Sequence, residues 1–366
     1  MIIGIDASRA AISKRTGTEA YAYHLITHLI PLAISNDHQL RFYFNSPPPP
    51  NLFPYPGLID YRVIPFRRMW THLRLGAELA FNPPDLFFTP AHVIPYTWFG
   101  KSIATIHDLG YEHFPEAHTA DQVRYLRWST KHNAKRSRII LADSLATKDD
   151  LIELYQTPVN KIEVVYPGID PLLLDEAQSR PPLQKDQPYL LFLSTIQPRK
   201  NVGRIIDAFA LIADQIPHKL ILAGQLGWRS EPILAQIRGL PESIQDRIDL
   251  PGYIPDQEKA ALIKGATAFI YPSLNEGFGF PLLEANACGV PVVTANSSSL
   301  AELAETGAAL TVDPLSTAAI ADGIIQLIND NQLREQLIDA GFKNIERFSW
   351  QKGAERVMTL IESLDE

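Results

Sequence analysis

Short apolar runs alternate with amphipathic stretches along the whole chain, and this alternation constrains the fold more than any other feature. Twelve runs have the length and composition of buried strands. They fall into two series, residues 2–5, 41–44, 61–64, 86–89, 103–107 and 139–142, and then 190–194, 220–223, 248–251, 268–271, 290–294 and 309–312. Helical patterns lie between most of them, and strands alternating with helices predict parallel sheets of βαβ units. Because twelve strands are too many for one ordinary sheet, we expect two doubly wound α/β domains.

The break between the two series is marked by prolines. Pro167, Pro171 and the pair Pro181-Pro182 interrupt the pattern before the second series begins. We therefore predict a first domain over residues 1–168, a linker over 169–187 and a second domain over 188–348.

Composition and charge limit the functional classes. The net charge is −8 with no sustained basic tract, which does not favour nucleic-acid binding. The N-terminus is typical of a buried strand and lacks the features of a signal peptide. A single cysteine, Cys288, excludes an internal disulfide, and we expect a cytoplasmic protein. Two local basic clusters are either solvated surfaces or contacts for an anionic lipid or acceptor: Arg62, Arg67, Arg68 and Arg74, then Arg124, Arg127, Lys131, Lys135, Arg136 and Arg138.

Residues 276–284, with the sequence EGFGFPLLE, combine two carboxylates with a glycine-containing turn. An apolar strand precedes them and a small-residue helix follows. Glycine lets a backbone approach a ligand closely, and the free N–H groups of a helix N-terminus favour an anion such as phosphate. Glu276 and Glu284 can accept hydrogen bonds from hydroxyls on either side. This pattern indicates a nucleotide sugar.

Adjacent cations stand at another strand-to-helix junction of the second domain. Arg199 and Lys200 follow the strand at 190–194, and Asn201 is a plausible N-cap for the helix beyond. The two charges could neutralise a diphosphate without a metal ion. An exposed Arg-Lys pair is the alternative, and the Glu276–Glu284 element later in the same domain favours the functional interpretation.

Several separate motifs occur in one order and together resemble glycosyltransferase family 4, whose members have the GT-B fold. They are QPRKN at 197–201, YPS at 271–273, EGFGFPLLEANACGVPV at 276–292, TIHDL at 105–109, ADS at 142–144 and FSW at 348–350. The resemblance covers nearly the whole chain. It implies two Rossmann-like domains facing a central cleft, with a C-terminal helix over 349–366 that crosses back to the first domain.

The resemblance also implies a role for each matching residue. Glu276 would bind donor-sugar hydroxyls, Glu284 the ribose, and Arg199 with Lys200 the diphosphate. The backbone N–H groups of Phe278 and Gly279 would donate to the sugar. Those of Phe280 and Leu282 would donate near the diphosphate.

Three residues of the first domain also match the family. His107, at a strand end, would contact the donor sugar. Asp108 would orient the imidazole, contact the acceptor or cap the turn. Gly17, in the loop after the first strand, would contact phosphate, unless that loop is a mobile segment on the acceptor side.

The expected activity is that of a retaining, metal-independent glycosyltransferase without a cofactor. It would move a hexose from a nucleoside-diphosphate sugar to a hydroxyl acceptor, a glycan precursor or a lipid-linked glycan at the inner face of the membrane. The sequence at 198–201 resembles the mannosyltransferase branch, so GDP-mannose is the first expectation for the donor. A UDP-sugar-dependent transferase, a sugar-nucleotide epimerase and a non-catalytic nucleotide-sugar-binding subunit remain alternatives.

Overall fold

A computed structural model describes residues 1–13, 15–66 and 68–365. The chain forms two compact units. Unit 1 comprises Met1–Glu112, Ala120–Gly168 and Phe348–Glu366, and unit 2 comprises His113–Thr119 and Ile169–Arg347. The last helical segment of the chain therefore belongs to the N-terminal unit.

Unit 1 is built on a parallel sheet. Within the residues described, it has seven strands in the order β3-β2-β1-β4-β5-β6-β7. Every pairing is parallel, as a βαβ pattern requires. The strands are β1 (Ile2–Asp6), β2 (Gln39–Phe44), β3 (Ile59–Val63), β4 (Leu86–Thr89), β5 (Lys101–Ile106), β6 (Ile139–Ala142) and β7 (Ile162–Val164).

Helices of unit 1 connect these strands and cover the sheet. They are α1 (Gly17–Ser35), α2 (Gly76–Phe81), α3 (Gly110–His113), α4 (Ala120–Arg136), α5 (Leu145–Tyr155) and, at the end of the chain, α15 (Trp350–Ser363). Helix α15 packs along α1. Trp350 is buried in this contact, edge to face with Tyr21 and stacked on His24.

Unit 2 has a second parallel sheet. Its six strands within the described residues take the order β10-β9-β8-β11-β12-β13. They are β8 (Tyr189–Leu193), β9 (Lys219–Ala223), β10 (Ile248–Gly252), β11 (Ala268–Tyr271), β12 (Val292–Ala295) and β13 (Leu310–Val312). The central strands β8, β11 and β12 are buried along their whole length, which explains their continuous apolar sequences.

Helices of unit 2 alternate with its strands. They are α6 (Pro171–Ser179), α7 (Val202–Ile212), α8 (Glu231–Arg238), α9 (Glu242–Gln245), α10 (Asp256–Lys264), α11 (Phe280–Ala287), α12 (Ser298–Ala304), α13 (Thr317–Asn329) and α14 (Asn331–Ile345). Helix α6, with nine residues, lies inside the predicted linker 169–187, so about half of this segment is helical. It packs against α10 of unit 2.

Two doubly wound α/β units confirm the predicted fold class. Each of the twelve predicted strands corresponds to an observed one, within two residues at either end. Strand β7 was not predicted, because three residues at a sheet edge carry too little periodicity to be recognised.

Both sheets reverse their strand order at one place, between β1 and β4 in unit 1 and between β8 and β11 in unit 2. In each sheet, the chain continues from one of these two strands toward one edge and from the other strand toward the opposite edge. A crevice therefore opens between the two connections, at the carboxyl ends of the two strands. Open α/β sheets bind ligands there.

The contact of α15 with α1 makes a prediction about stability. Trp350→Ala removes a large buried ring, which typically costs about 3–5 kcal/mol. We expect a lower urea midpoint for unit 1, followed by far-UV circular dichroism. Phe81→Ala is the matched control, because Phe81 is 85% exposed and its loss should change stability by less than about 0.5 kcal/mol. Equal midpoints for the two variants would contradict the burial of Trp350.

Candidate active site

The switch point of unit 2 holds a buried ion-pair network centred on Glu276. Lys200 Nζ donates to Glu276 Oε1 at 2.7 Å, and Arg199 Nη1 lies 3.3 Å from Glu276 Oε2. Lys200 and Glu276 are only 8% and 7% exposed. Three residues of the predicted site therefore contact one another directly.

Sheet topology explains this meeting. The two cations lie in a short 3₁₀ turn, Pro198–Lys200, beyond the end of β8, while Glu276 follows β11. Strands β8 and β11 are parallel neighbours, so both segments emerge at the same edge of the sheet.

Two hydroxyls complete the surroundings of the carboxylate. Tyr271 Oη and Ser273 Oγ both donate to Glu276 Oε1, at 2.9 and 2.5 Å. Lys200 Nζ also donates to Tyr271 Oη at 2.9 Å. Tyr271 and Ser273 were part of the YPS motif, but the sequence pattern gave no reason to place their hydroxyls on Glu276.

The electrostatic balance keeps Glu276 ionised. Burial raises the pKa of this carboxyl, but the charges of Lys200 and Arg199 and the hydrogen bonds from Lys200 and Ser273 lower it more strongly, to about 2. Burial and the neighbouring carboxylate raise the pKa of Tyr271 well above its usual value, so Tyr271 stays a protonated donor. The cations of Lys200 and Arg199 both lie against this one carboxylate.

The loop after Glu276 leads into helix α11 through Gly279, the N-cap residue. Its φ of +117° is a conformation that glycine adopts at little cost, and an added Cβ would lie 2.8 Å from Leu300. Phe278, 4% exposed, packs edge to face with Phe280. Pro281 is the second helical residue.

The backbone amide of Leu282 lies in the first turn of α11. Its N–H donates to the Gly279 carbonyl at 3.1 Å. The predicted contact of this amide with a diphosphate stays a prediction.

Glu284 lies one turn into α11 and is 9% exposed. Its carboxylate is paired with Lys259 of α10. Lys259 was missed, because nothing distinguishes it from the other charged residues of its amphipathic helix.

Asn201 occupies the predicted N-cap position of α7, but its side chain does not cap the helix. The Nδ2 group donates instead to the carbonyls of Pro272 and Pro314, at 2.9 and 2.7 Å. Asn201 thus holds together the segments that follow β8, β11 and β13.

In unit 1, His107 lies just beyond the end of β5, and both ring nitrogens are engaged. Nδ1 is 2.7 Å from Asp143 Oδ2, and Nε2 is 2.9 Å from the Pro90 carbonyl. Tyr21 meets the ring edge to face at 4.7 Å. Two acceptors, one on each nitrogen, favour the doubly protonated ring.

The pKa of His107 agrees with this geometry. Burial lowers the pKa, but Asp143, with smaller contributions from Asp108 and the Pro90 carbonyl, raises it above the usual value. The imidazole is therefore oriented by Asp143, which follows the neighbouring strand β6. His107 and Asp143 follow neighbouring parallel strands, β5 and β6. Their positions at strand ends were the sequence signal that could have identified this pair.

Asp108 and Gly17 take local structural positions. Asp108 Oδ1 accepts a hydrogen bond from the Gly110 amide at 3.0 Å, which supports the turn-capping alternative and leaves the orientation of His107 to Asp143. Gly17 is the exposed first residue of α1. The Thr16 amide before it donates to Glu19 at 3.2 Å, one half of a capping box.

Several cations of the predicted basic clusters have acidic partners: Arg62 with Asp60, Arg124 with Asp121 and Arg127 with Glu112. Arg67 lies outside the described residues. Within residues 1–13, 15–66 and 68–365, no helix is both long and apolar enough to cross a membrane.

Comparisons with known proteins agree with this fold. The chain matches the family models for glycosyl transferases group 1 over residues 175–344 and glycosyltransferase family 4 over residues 15–172. It is similar in fold to the sucrose-phosphate synthase of Thermosynechococcus elongatus, with a TM-score of 0.76 and 18% identity over 100% of this chain and 99% of that one. Two such α/β units define the GT-B class of glycosyltransferases.

Sequence relatives identify the family. The O-antigen chain mannosyltransferase B of Escherichia coli is 32% identical over 306 residues, which cover 81% of this chain and 77% of that protein. The D-inositol 3-phosphate glycosyltransferase of Frankia alni is 29% identical over 60% of this chain and 57% of that protein. The chain belongs to glycosyltransferase family 4 and is a glycosyltransferase.

The His107–Asp143 pair makes a prediction about titration. In the wild type, NMR titration should give His107 a pKa above the usual value of about 6.5. In Asp143→Asn the pKa should fall below that value, because burial remains while the carboxylate is lost. His218 of unit 2, whose pKa is lowered chiefly by burial, should titrate identically in both proteins.

The raised pKa of His107 also makes the free energy of unfolding depend on pH in a defined direction. A histidine with a raised folded-state pKa contributes stability that is fully present below the unfolded-state pKa and is lost as the pH rises through the folded-state pKa. The stability advantage of the wild type over Asp143→Asn should therefore shrink as the pH rises from about 6.5. An advantage that grows over this range would contradict the charged pair.

Proposed function

We propose that the protein is a retaining hexosyltransferase that transfers mannose from GDP-mannose to a hydroxyl of a glycan precursor in polysaccharide biosynthesis. The buried network of Lys200, Arg199 and Glu276 carries this proposal. The mannosyltransferase from Escherichia coli, 32% identical to this chain, supports the choice of donor.

Charge complementarity supports the donor site. The diphosphate of a nucleotide sugar presents several negative oxygens, and Lys200 and Arg199 supply two cations beside the N-terminus of α11. In the structure Glu276 pairs with both cations. On donor binding, we propose that both cations turn to the diphosphate, and that Glu276 accepts hydrogen bonds from sugar hydroxyls. Lys259 would keep Glu284 in place for the ribose.

The proposed reaction breaks the bond between the sugar C1 and the β-phosphate oxygen. A bond from the acceptor oxygen to C1 forms on the same face, and the acceptor proton passes to the departing phosphate. Lys200 and Arg199 stabilise the charge that develops on the leaving diphosphate, and cationic stabilisation of this kind needs no metal ion. His107 would contribute to transfer as a cation held by Asp143.

The acceptor is proposed to be a neutral or lipid-linked glycan. Peripheral contact with a membrane stays a prediction. Exposed aromatic rings near the cations of α4 favour it, such as Phe99, 78% exposed, beneath the Arg136 guanidinium.

Loss of the Lys200 charge tests the proposal. Lys200→Met keeps most of the side-chain volume but removes the cation, and we expect kcat to fall by about 10²–10³-fold. Transfer from GDP-mannose can be followed by release of GDP. Lys219→Met, which removes a partly exposed lysine paired with Asp249, is the matched control and should keep wild-type kcat.

A folding defect must be separated from a catalytic one. Lys200→Met/Glu276→Gln removes both members of the buried pair, so it leaves no uncompensated carboxylate. Wild-type kcat in either folded variant would contradict the proposed role of Lys200.

The donor and the stereochemistry form a separate prediction. Thermal-shift measurements across GDP- and UDP-sugars should give the largest rise in melting temperature with GDP-mannose, because a ligand stabilises the folded state that binds it. NMR of the product should show the same anomeric configuration as the donor. A larger shift with a UDP-sugar would assign a different donor, an inverted product would contradict retention, and epimerised donor without a glycoside product would indicate an epimerase.

A further inference from the structure

Two serines at the start of α12 hold the backbone of the loop 276–279. Ser298 and Ser299 are the first two residues of this helix, which follows β12. Strands β11 and β12 are parallel neighbours, so the loop after β11 and the start of α12 emerge at the same edge of the sheet. Both serines contact the loop backbone, whereas the ion-pair network holds the Glu276 side chain.

Ser299 binds two carbonyl groups of the loop with one hydroxyl. It is 0% exposed, and its Oγ donates to the carbonyl oxygens of Glu276 at 2.8 Å and of Phe278 at 2.6 Å. No cis peptide bond occurs in the described part of the chain, so the N–H of each peptide group points away from its carbonyl. Ser299 therefore turns the N–H groups of Gly277 and Gly279 away from α12.

Ser298 fixes the peptide group that precedes these two. The Glu276 N–H donates to Ser298 Oγ at 3.2 Å. Ser298 has a φ of +53°, a left-handed conformation that a residue other than glycine adopts only at a cost in free energy. Backbone strain of this kind persists where the surrounding structure imposes it, and it is concentrated at functional sites. The strained residue here is the one whose hydroxyl accepts the Glu276 N–H.

Donor binding makes these backbone contacts important. In the proposed reaction Lys200 and Arg199 leave the Glu276 carboxylate for the diphosphate, so the carboxylate loses its two charged partners. The hydrogen bonds that Ser298 and Ser299 make with the loop involve neither cation. They can therefore hold the loop in place after the cations have moved.

We propose that Ser298 and Ser299 are positioning residues that keep the Glu276 carboxylate and the Gly279 N–H directed at the donor sugar while the two cations hold the diphosphate. This inference rests on the proposed transferase function. The two serines act through the loop backbone and not on the reacting atoms. Their loss should therefore impair transfer of the sugar and leave binding of the nucleotide unchanged.

Two variants remove these contacts one at a time. Ser299→Ala deletes the hydroxyl that directs two peptide groups, and kcat for transfer from GDP-mannose should fall by about 10- to 100-fold, because small misplacements of reacting groups are costly. Ser298→Gly deletes the acceptor of the Glu276 N–H, and kcat should fall by roughly 3- to 10-fold, the effect of one lost hydrogen bond. Glycine adopts a left-handed φ without strain, so Ser298→Gly should fold even if Ser299→Ala does not.

Binding of GDP separates positioning from folding. GDP lacks the sugar, so both variants should keep the wild-type rise in melting temperature with GDP although transfer falls. Ser179→Ala is the matched control. The Ser179 hydroxyl, like that of Ser299, donates to a backbone carbonyl, that of Asp175, but Ser179 is exposed on α6. This control should keep both the wild-type kcat and the wild-type shift with GDP.

The remaining outcomes are decisive. Wild-type kcat in Ser298→Gly or in a folded Ser299→Ala would overturn the positioning role. A loss of the GDP-induced shift that matches the loss of kcat would also overturn it, because the whole site would then be disturbed. Absence of a thermal shift with every nucleotide sugar in the wild type would instead overturn the proposed function. If the thermal-shift series selects another nucleotide sugar, the same measurements apply to that sugar and its nucleoside diphosphate.

Discussion

Glu276 is a buried carboxylate that requires compensating charge. Residues at the carboxyl ends of the unit 2 strands supply this charge. An unpaired buried carboxylate would cost several kcal/mol. Lys200, Arg199, Tyr271 and Ser273 all direct hydrogen bonds at its two oxygens. They converge because β8 and β11 are parallel neighbours at the switch point. The same arrangement places two cations at the proposed diphosphate site, so the proposed donor binding uses contacts that also stabilise the fold.

The two units share one sheet topology, but different residues lie at their switch points. Each sheet reverses its order between the first and fourth strand in chain order, and each switch point collects polar residues from neighbouring strand ends. In unit 2 the cations Lys200 and Arg199 lie against Glu276. In unit 1 the Arg9 guanidinium contacts His92 and Glu19. His107 lies one strand further along and is held by Asp143 and the Pro90 carbonyl.

Periodicity was sufficient to predict the fold, because buried parallel strands have continuous apolar sequences and amphipathic helices separate them. The meeting of candidate site residues next to strand ends, such as Lys200 and Glu276, was also predictable, since strand order brings such ends together. Partners that depend on side-chain direction were not. Asp143 rather than Asp108 orients His107, Lys259 pairs with Glu284 from another helix, and the Leu282 amide is used inside α11. No spacing rule encodes these contacts, because they depend on how loops and helices pack.

The central claim is that the Glu276 network is the donor-diphosphate site, and a crystal structure of the protein with GDP-mannose tests it most directly. The account predicts that Lys200 Nζ leaves Glu276 Oε1, now at 2.7 Å, and lies within hydrogen-bond distance of a phosphate oxygen, with the Glu276 carboxylate on a sugar hydroxyl. A nucleotide bound elsewhere, with the Lys200–Glu276 pair unchanged, would contradict it.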